Sequence, residues 1–131
     1  MNINTFHEHK PVIIPLIYIV DDDDDTLFTI EYWLKRKGYN VRSFANAVQM
    51  LQGIKEVIPD IVLLDTHLNG EDGRDVCKYL KTHERLEQPV LLISTYNDCS
   101  DDFKAYQANG FMHKPYNMRE LPAIIASKMV M

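Results

Sequence analysis

Three short runs of almost unbroken apolar residues constrain this chain more than any other feature. They are Leu16–Val20 (LIYIV), Asp60–Leu64 (DIVLL) and Pro89–Ile93 (PVLLI). A strand with one wet face alternates polar and apolar residues, whereas these runs do not. They read as strands covered on both sides, the habit of a parallel sheet. Helical patterns lie between them. Leu27, Ile30 and Leu34 share one face of Thr26–Lys37, with Lys35, Arg36 and Lys37 in its last turn and Gly38 as its stop. Tyr39–Phe44 reads as a second strand, Asn46–Glu56 as a second helix, and His67–Gly73 as a turn rich in Asn, Gly and Asp. Gly73–Thr82, Asp98–Asn109 and Met118–Met129 complete the helices, with Pro122 tolerable only in a first turn. Phe111–His113 is a short fifth strand. Strands alternating with helices predict a doubly wound α/β fold: a five-stranded parallel sheet with helices on both faces.

Residues 1–14 carry no periodicity and two breaks before proline, so they are expected to form a loose N-terminal arm ahead of one domain over 15–131. A chain of 131 residues, 46% hydrophobic and 25% charged, suits a single core. Nineteen acids against fourteen Lys and Arg give a net charge of −5, and five of the acids are consecutive, Asp21 to Asp25. Without that run the signs balance. This disfavours direct nucleic-acid binding, which needs a basic face. Val12–Val20 is the longest apolar stretch, is broken by Pro15, and falls far short of the roughly 20 residues that cross a bilayer. Two cysteines, Cys77 and Cys99, make no disulfide framework and suit a reducing compartment, so a cytoplasmic location is expected.

The polar residues cluster by position. In open α/β sheets ligands bind beyond the carboxyl ends of the strands. The first strand ends at Asp21 and Asp22, the third at Asp65, the fourth at Ser94 and Thr95, and the fifth at Lys114. Convergence at one edge would gather three carboxylates, a hydroxyl and an ammonium. Carboxylates a few ångströms apart repel by roughly 4 kcal/mol per pair at an effective dielectric near 20, so the cluster wants a cation. Hard oxygen ligands with room for water and phosphate oxygens suit Mg²⁺. Phosphoryl transfer onto an aspartate is the simplest chemistry that uses every part.

These segments resemble the receiver domain of response regulators in two-component signalling. The resemblance spans about residues 15–129 and rests on IYIVDDDDDT, PDIVLLDTHLNGEDG, PVLLIST and MHKPY in that order. It implies a flavodoxin-like strand order, 2-1-3-4-5. It also implies that Asp21 and Asp22 are an acidic pair, with Asp22 bound directly to Mg²⁺. Asp65 would be the phosphoacceptor and the His67 backbone carbonyl a further metal ligand. Ser94 would be the switch hydroxyl, Phe111 the switch aromatic, and Lys114 the site lysine, ahead of a cis bond to Pro115. The implied partner is a sensor histidine kinase or phosphotransfer protein; the downstream effector is not identified. Such a domain catalyses only its own phosphorylation and dephosphorylation. His67, Thr95 and Tyr96 would crowd the approach of water to the phosphorus and make that loss slow.

Several positions depart from the family pattern. Asn69 replaces a proline, Thr95 an alanine or glycine, and Gln107 a glycine, while Phe111 has no hydroxyl. Asp23–Asp25 read as a solvated acidic loop. An EF-hand fails by count, since Thr26 and Tyr32 stand where a loop beginning at Asp21 needs Gly and Glu. A haloacid-dehalogenase-type phosphatase could use the DxDxT of Asp22–Thr26, but Asp65 would then have no role. A receiver-like module that is never phosphorylated is the remaining alternative. The chain could be a free-standing receiver or one piece of a larger regulator or hybrid kinase.

Overall fold

The computed structural model describes residues 13–95, 102–114 and 117–129. Among these residues five strands form the main sheet: β1 (Leu16–Val20), β2 (Asn40–Phe44), β3 (Ile61–Asp65), β4 (Val90–Ser94) and β5 (Gly110–His113). They pair in parallel in the order β2-β1-β3-β4-β5, as expected. The helices are α1 (Asp24–Arg36), α2 (Ala47–Glu56), α3 (Gly73–Thr82) and α4 (Leu121–Lys128).

Successive strand residues point to opposite faces, and this alternation sorts the core. Ile17, Ile19, Leu63, Leu91 and Ile93 meet Ile30 and Leu34 of α1 and Leu121 and Ile125 of α4. Tyr18, Val20, Val62, Leu64 and Leu92 meet Met50 and Ile54 of α2 and Cys77 and Leu80 of α3. Central strands β3 and β4 are buried at every residue, which is why their sequences carry no alternation. Burial among these apolar groups pushes the Cys77 thiol up to about 11.

Local caps, from side chains and from the backbone, rather than apolar periodicity, set the helix ends. Helix α1 starts at Asp24, ahead of the expected Thr26. The Asp23 carboxylate accepts hydrogen bonds from the Asp25 and Thr26 N–H groups at 3.0 and 3.5 Å and from the Thr26 hydroxyl at 3.0 Å. Asp23–Asp25, expected as a solvated loop, are therefore the N-cap and first turn, where negative charge is favoured. The Thr26 hydroxyl, with these N–H groups, holds the Asp23 carboxyl below the usual carboxylate range. Gly38, at φ +95°, ends the helix as expected. The last helix begins at Leu121 rather than Met118, because the Asn117 carbonyl accepts from Glu120 and Leu121 and shapes a preceding turn. Pro122 falls in the first helical turn.

The expected helix over Asp98–Asn109 is reduced, in its described part, to one 3₁₀ turn at Phe103–Tyr106. Its end is dictated by the strand beside it. Asn109 donates its N–H to the Val90 carbonyl at 2.8 Å and accepts the Val90 N–H on its side chain at 2.9 Å. To reach that position the chain turns through Gln107, whose φ of +63° lies in the left-handed region. Glycine takes this conformation without strain, as the glycine implied here by the resemblance would. Gln107→Gly is expected to stabilise the fold by about 1 kcal/mol, after allowing for the freer unfolded chain. Urea midpoints of the two proteins measure it, and a lower midpoint for the glycine variant would refute it.

Candidate functional site

The carboxyl edge of the sheet gathers the charged side chains. Asp21 follows β1 directly and is held there by its N–H bond to the Phe44 carbonyl at 3.1 Å. Asp65 is the last residue of β3. Lys114 follows β5, with its N–H on the Ser94 carbonyl at 2.7 Å. From that position its ammonium donates to Asp21 Oδ2 at 2.6 Å and to Asp65 Oδ2 at 2.8 Å. The second oxygen of each carboxylate accepts a backbone N–H two residues further on. Asp23 supplies it to Asp21 and His67 to Asp65, both at 2.9 Å. Asp21 and Asp65 are 1% and 6% exposed, so these bonds replace most of their water.

Oxygen atoms of Asp21, Asp22 and Asp65 all lie within 4.8 Å of one another, and Asp22 is the exposed member. Three hard oxygen donors with one open side fit a divalent cation of the Mg²⁺ or Ca²⁺ kind, and among the described residues no soft ligand joins them. Burial raises the Asp65 carboxyl, the nearby Asp21 charge adds to the rise, and the Lys114 and His67 hydrogen bonds offset only part of it. For Lys114 burial works downward, but the bonds to Asp21 and Asp65 outweigh it and the ammonium is held more firmly than usual. Two carboxylates sharing one ammonium leave a net negative charge in a partly dry site, the condition in which one carboxylate resists ionisation.

The other wall is the segment after Asp65. Residues His67–Leu68 and Glu71–Asp72 form a two-residue antiparallel hairpin turned by Gly70 at φ +79°. With Asp22 and Thr66, the hairpin lines an open cleft of about 450 Å³. The Thr66 hydroxyl lies 2.8 Å from His67 Nδ1. The Thr66 carbonyl accepts the Gly73 N–H at 2.8 Å, so α3 begins against the backbone of Asp65. There is no room for a larger residue, because a Cβ on Gly73 would stand 1.9 Å from the Asp65 carbonyl oxygen.

Asp21, Asp22, Asp65 and Lys114 thus come together as the sequence suggests, and the His67 backbone joins them through its N–H. Ser94, fully buried at the end of β4, stands in register with His113. Phe111 is half-buried one strand further out, against the core and edge-on to His113. Tyr96 and Pro115 lie outside the described residues. The sequence marks Gly73 only as the end of a turn and the start of a helix and gives no role to Thr66, Asp72 or Arg74.

A doubly wound parallel sheet with a carboxylate and ammonium cluster at its carboxyl edge defines a class of α/β domains with an acidic site beyond the strand ends. A model of the response regulator receiver domain matches residues 17–126, and the chain belongs to that family: it is a receiver domain of two-component signalling. It is 31% identical to the transcriptional regulatory protein GltR of Pseudomonas aeruginosa over 112 residues, 83% of this chain and 46% of that protein. To the alkaline phosphatase synthesis transcriptional regulatory protein PhoP of Bacillus subtilis it is 30% identical, over 82% of this chain and 45% of the relative. The chain therefore spans a little under half the length of these relatives. Among solved structures, a putative response regulator from Chloroflexus aurantiacus is 28% identical with a TM-score of 0.82, covering 89% of this chain and 98% of that one. Among the described residues, no helix is long and apolar enough to cross a membrane.

Proposed function

We propose that Asp65 accepts a phosphoryl group from a phosphohistidine on a sensor histidine kinase or phosphotransfer protein, in the cytoplasm and with Mg²⁺. The observation that supports this most directly is the shared ammonium of Lys114, which joins Asp65 to Asp21 beside the open cleft. A carboxylate oxygen of Asp65 forms the new O–P bond while the N–P bond of the donor breaks, and the imidazole leaves with the electron pair and takes a proton. Asp21, Asp22, Asp65 and the His67 carbonyl would hold the Mg²⁺, which neutralises charge on the carboxylate and the phosphoryl oxygens. Lys114 keeps Asp65 oriented before transfer and offers its ammonium to a phosphoryl oxygen afterwards. The Ser94 hydroxyl answers the new charge at the end of β4, and Phe111 carries that response to a partner surface.

The experiment is intact-protein mass spectrometry with a small acyl phosphate as donor, with Mg²⁺ and with chelator. One phosphoryl group should be gained, only with Mg²⁺, and it should map to the peptide that contains Asp65. Uptake in chelator, or mapping to Asp21–Asp25, would overturn the assignment. Steady release of phosphate from a phosphomonoester would favour the phosphatase alternative.

A further inference from the structure

The hairpin that lines the cleft is two residues long on each side, too short to hold its own shape. Yet the proposed ligand carbonyl, that of His67, sits on it. Something outside the hairpin has to fix it, and Arg74 is placed to do so. Asp72 stands opposite His67 in the hairpin register and is also the N-cap of α3. Its Oδ1 accepts the Arg74 N–H at 2.9 Å, an ordinary capping bond. The Arg74 side chain then folds back onto the same carboxylate. Nε donates to Oδ1 and Oδ2 at 3.0 and 3.1 Å, and Nη2 donates to Oδ2 at 2.7 Å. A guanidinium engaged this way fixes the plane of the carboxylate as well as its position. The Arg74 bonds hold the Asp72 carboxyl below the usual range, against a smaller upward effect of burial.

A second contact leaves the same guanidinium. Its carbon lies 5.4 Å from the centre of the Tyr106 ring, on the 3₁₀ turn Phe103–Tyr106. That turn leads through Gln107 and Asn109 to the start of β5. Arg74 therefore touches two separate segments, the hairpin after β3 and the 3₁₀ turn before β5. Helix capping alone would need neither the fork on Asp72 nor the ring.

We propose that Arg74 is a positioning residue for the metal and phosphoryl site, clamping the His67 hairpin through Asp72 and tying it to the 3₁₀ turn through Tyr106. The inference rests on the reading of the His67 carbonyl as a Mg²⁺ ligand. Residues that orient metal ligands from behind usually change affinity about 10- to 100-fold when removed. A cation–ring contact at a partly exposed site is worth a few-fold.

The test titrates Mg²⁺ alone, by calorimetry, into the parent chain and into Asp22→Ala, Arg74→Gln, Arg74→Lys, Asp72→Asn and Tyr106→Ala. Urea unfolding without Mg²⁺ confirms that each variant is folded, and amide hydrogen exchange at Asn69–Glu71 reports the hairpin directly. Arg74→Gln and Asp72→Asn should weaken Mg²⁺ about tenfold and speed hairpin exchange. Asparagine is as good an N-cap as aspartate, so α3 itself should survive in the latter. Arg74→Lys, which keeps the charge without the fork, should stay weak. Tyr106→Ala should weaken Mg²⁺ about threefold. If the parent binds no Mg²⁺, or Asp22→Ala binds it equally, the site reading fails. If the parent binds and Arg74→Gln matches it, or Arg74→Lys restores full affinity, the clamp is refuted. An unchanged Tyr106→Ala would remove the second grip.

Discussion

Asp65→Asn is expected to abolish phosphoryl uptake while making the metal-free fold more resistant to urea. Amide nitrogen and oxygen form no stable link to phosphorus, so the loss of labelling should be complete in mass spectrometry. The gain in stability follows from charge. Burial, with Asp21 nearby, raises the Asp65 carboxyl above its unfolded value. The native state therefore holds its proton more tightly than the unfolded state does. Between the ordinary carboxylate range, near about 4, and the raised folded value, native stability falls as pH rises. An asparagine removes that slope, and its oxygen can still accept from Lys114, which keeps its 2.6 Å bond to Asp21. Parent and variant should thus differ most at neutral pH and converge in acid. A variant less stable than the parent at neutral pH would mean that the Lys114 bond outweighs burial and repulsion.

Gly73→Ala should be the most damaging small substitution in the molecule. The added carbon would meet the Asp65 carbonyl oxygen at 1.9 Å and the Asp65 carbonyl carbon and Thr66 Cα at 2.8 Å. All three are backbone atoms of the strand end, so no rotamer change relieves the overlap. Either α3 shifts away from the sheet or the end of β3 moves, and both disturb buried Cys77 and Leu80. A loss of about 3 kcal/mol or more is expected by urea titration, at the upper end for overpacking. Phosphoryl uptake by the surviving folded fraction should slow as well, because the displaced atoms carry Asp65. A loss below about 1 kcal/mol would show that α3 can slide freely on the strand.

Much of the architecture was legible because burial writes directly into sequence. IYIV, IVLL and VLLI have no wet face, and the structure buries every residue of them. Helix boundaries were less legible, since local caps and turns decide them and such a residue reads like any other polar one. Asp23 looked like one more member of an acidic run, yet it starts α1; Asn117 looked like loop, yet it delays α4. Within the site, Asp21, Asp22, Asp65 and Lys114 could be read from their places at strand ends. Gly73 could not, because its demand comes from a carbonyl eight positions earlier that only the fold brings close. Nor could Arg74, whose partners Asp72 and Tyr106 give no spacing signal.

The indole of Trp33 donates its N–H to the Met118 carbonyl at 2.7 Å, bridging α1 to the turn four residues beyond Lys114. It is the one tryptophan in the chain, and the Lys37 ammonium sits 4.5 Å from its ring centre. The molecule therefore carries a built-in optical gauge on the stretch of backbone that follows its key lysine. Indole emission responds to a lost hydrogen bond and to a nearby charge, so its colour and intensity can follow that stretch in real time without any attached dye.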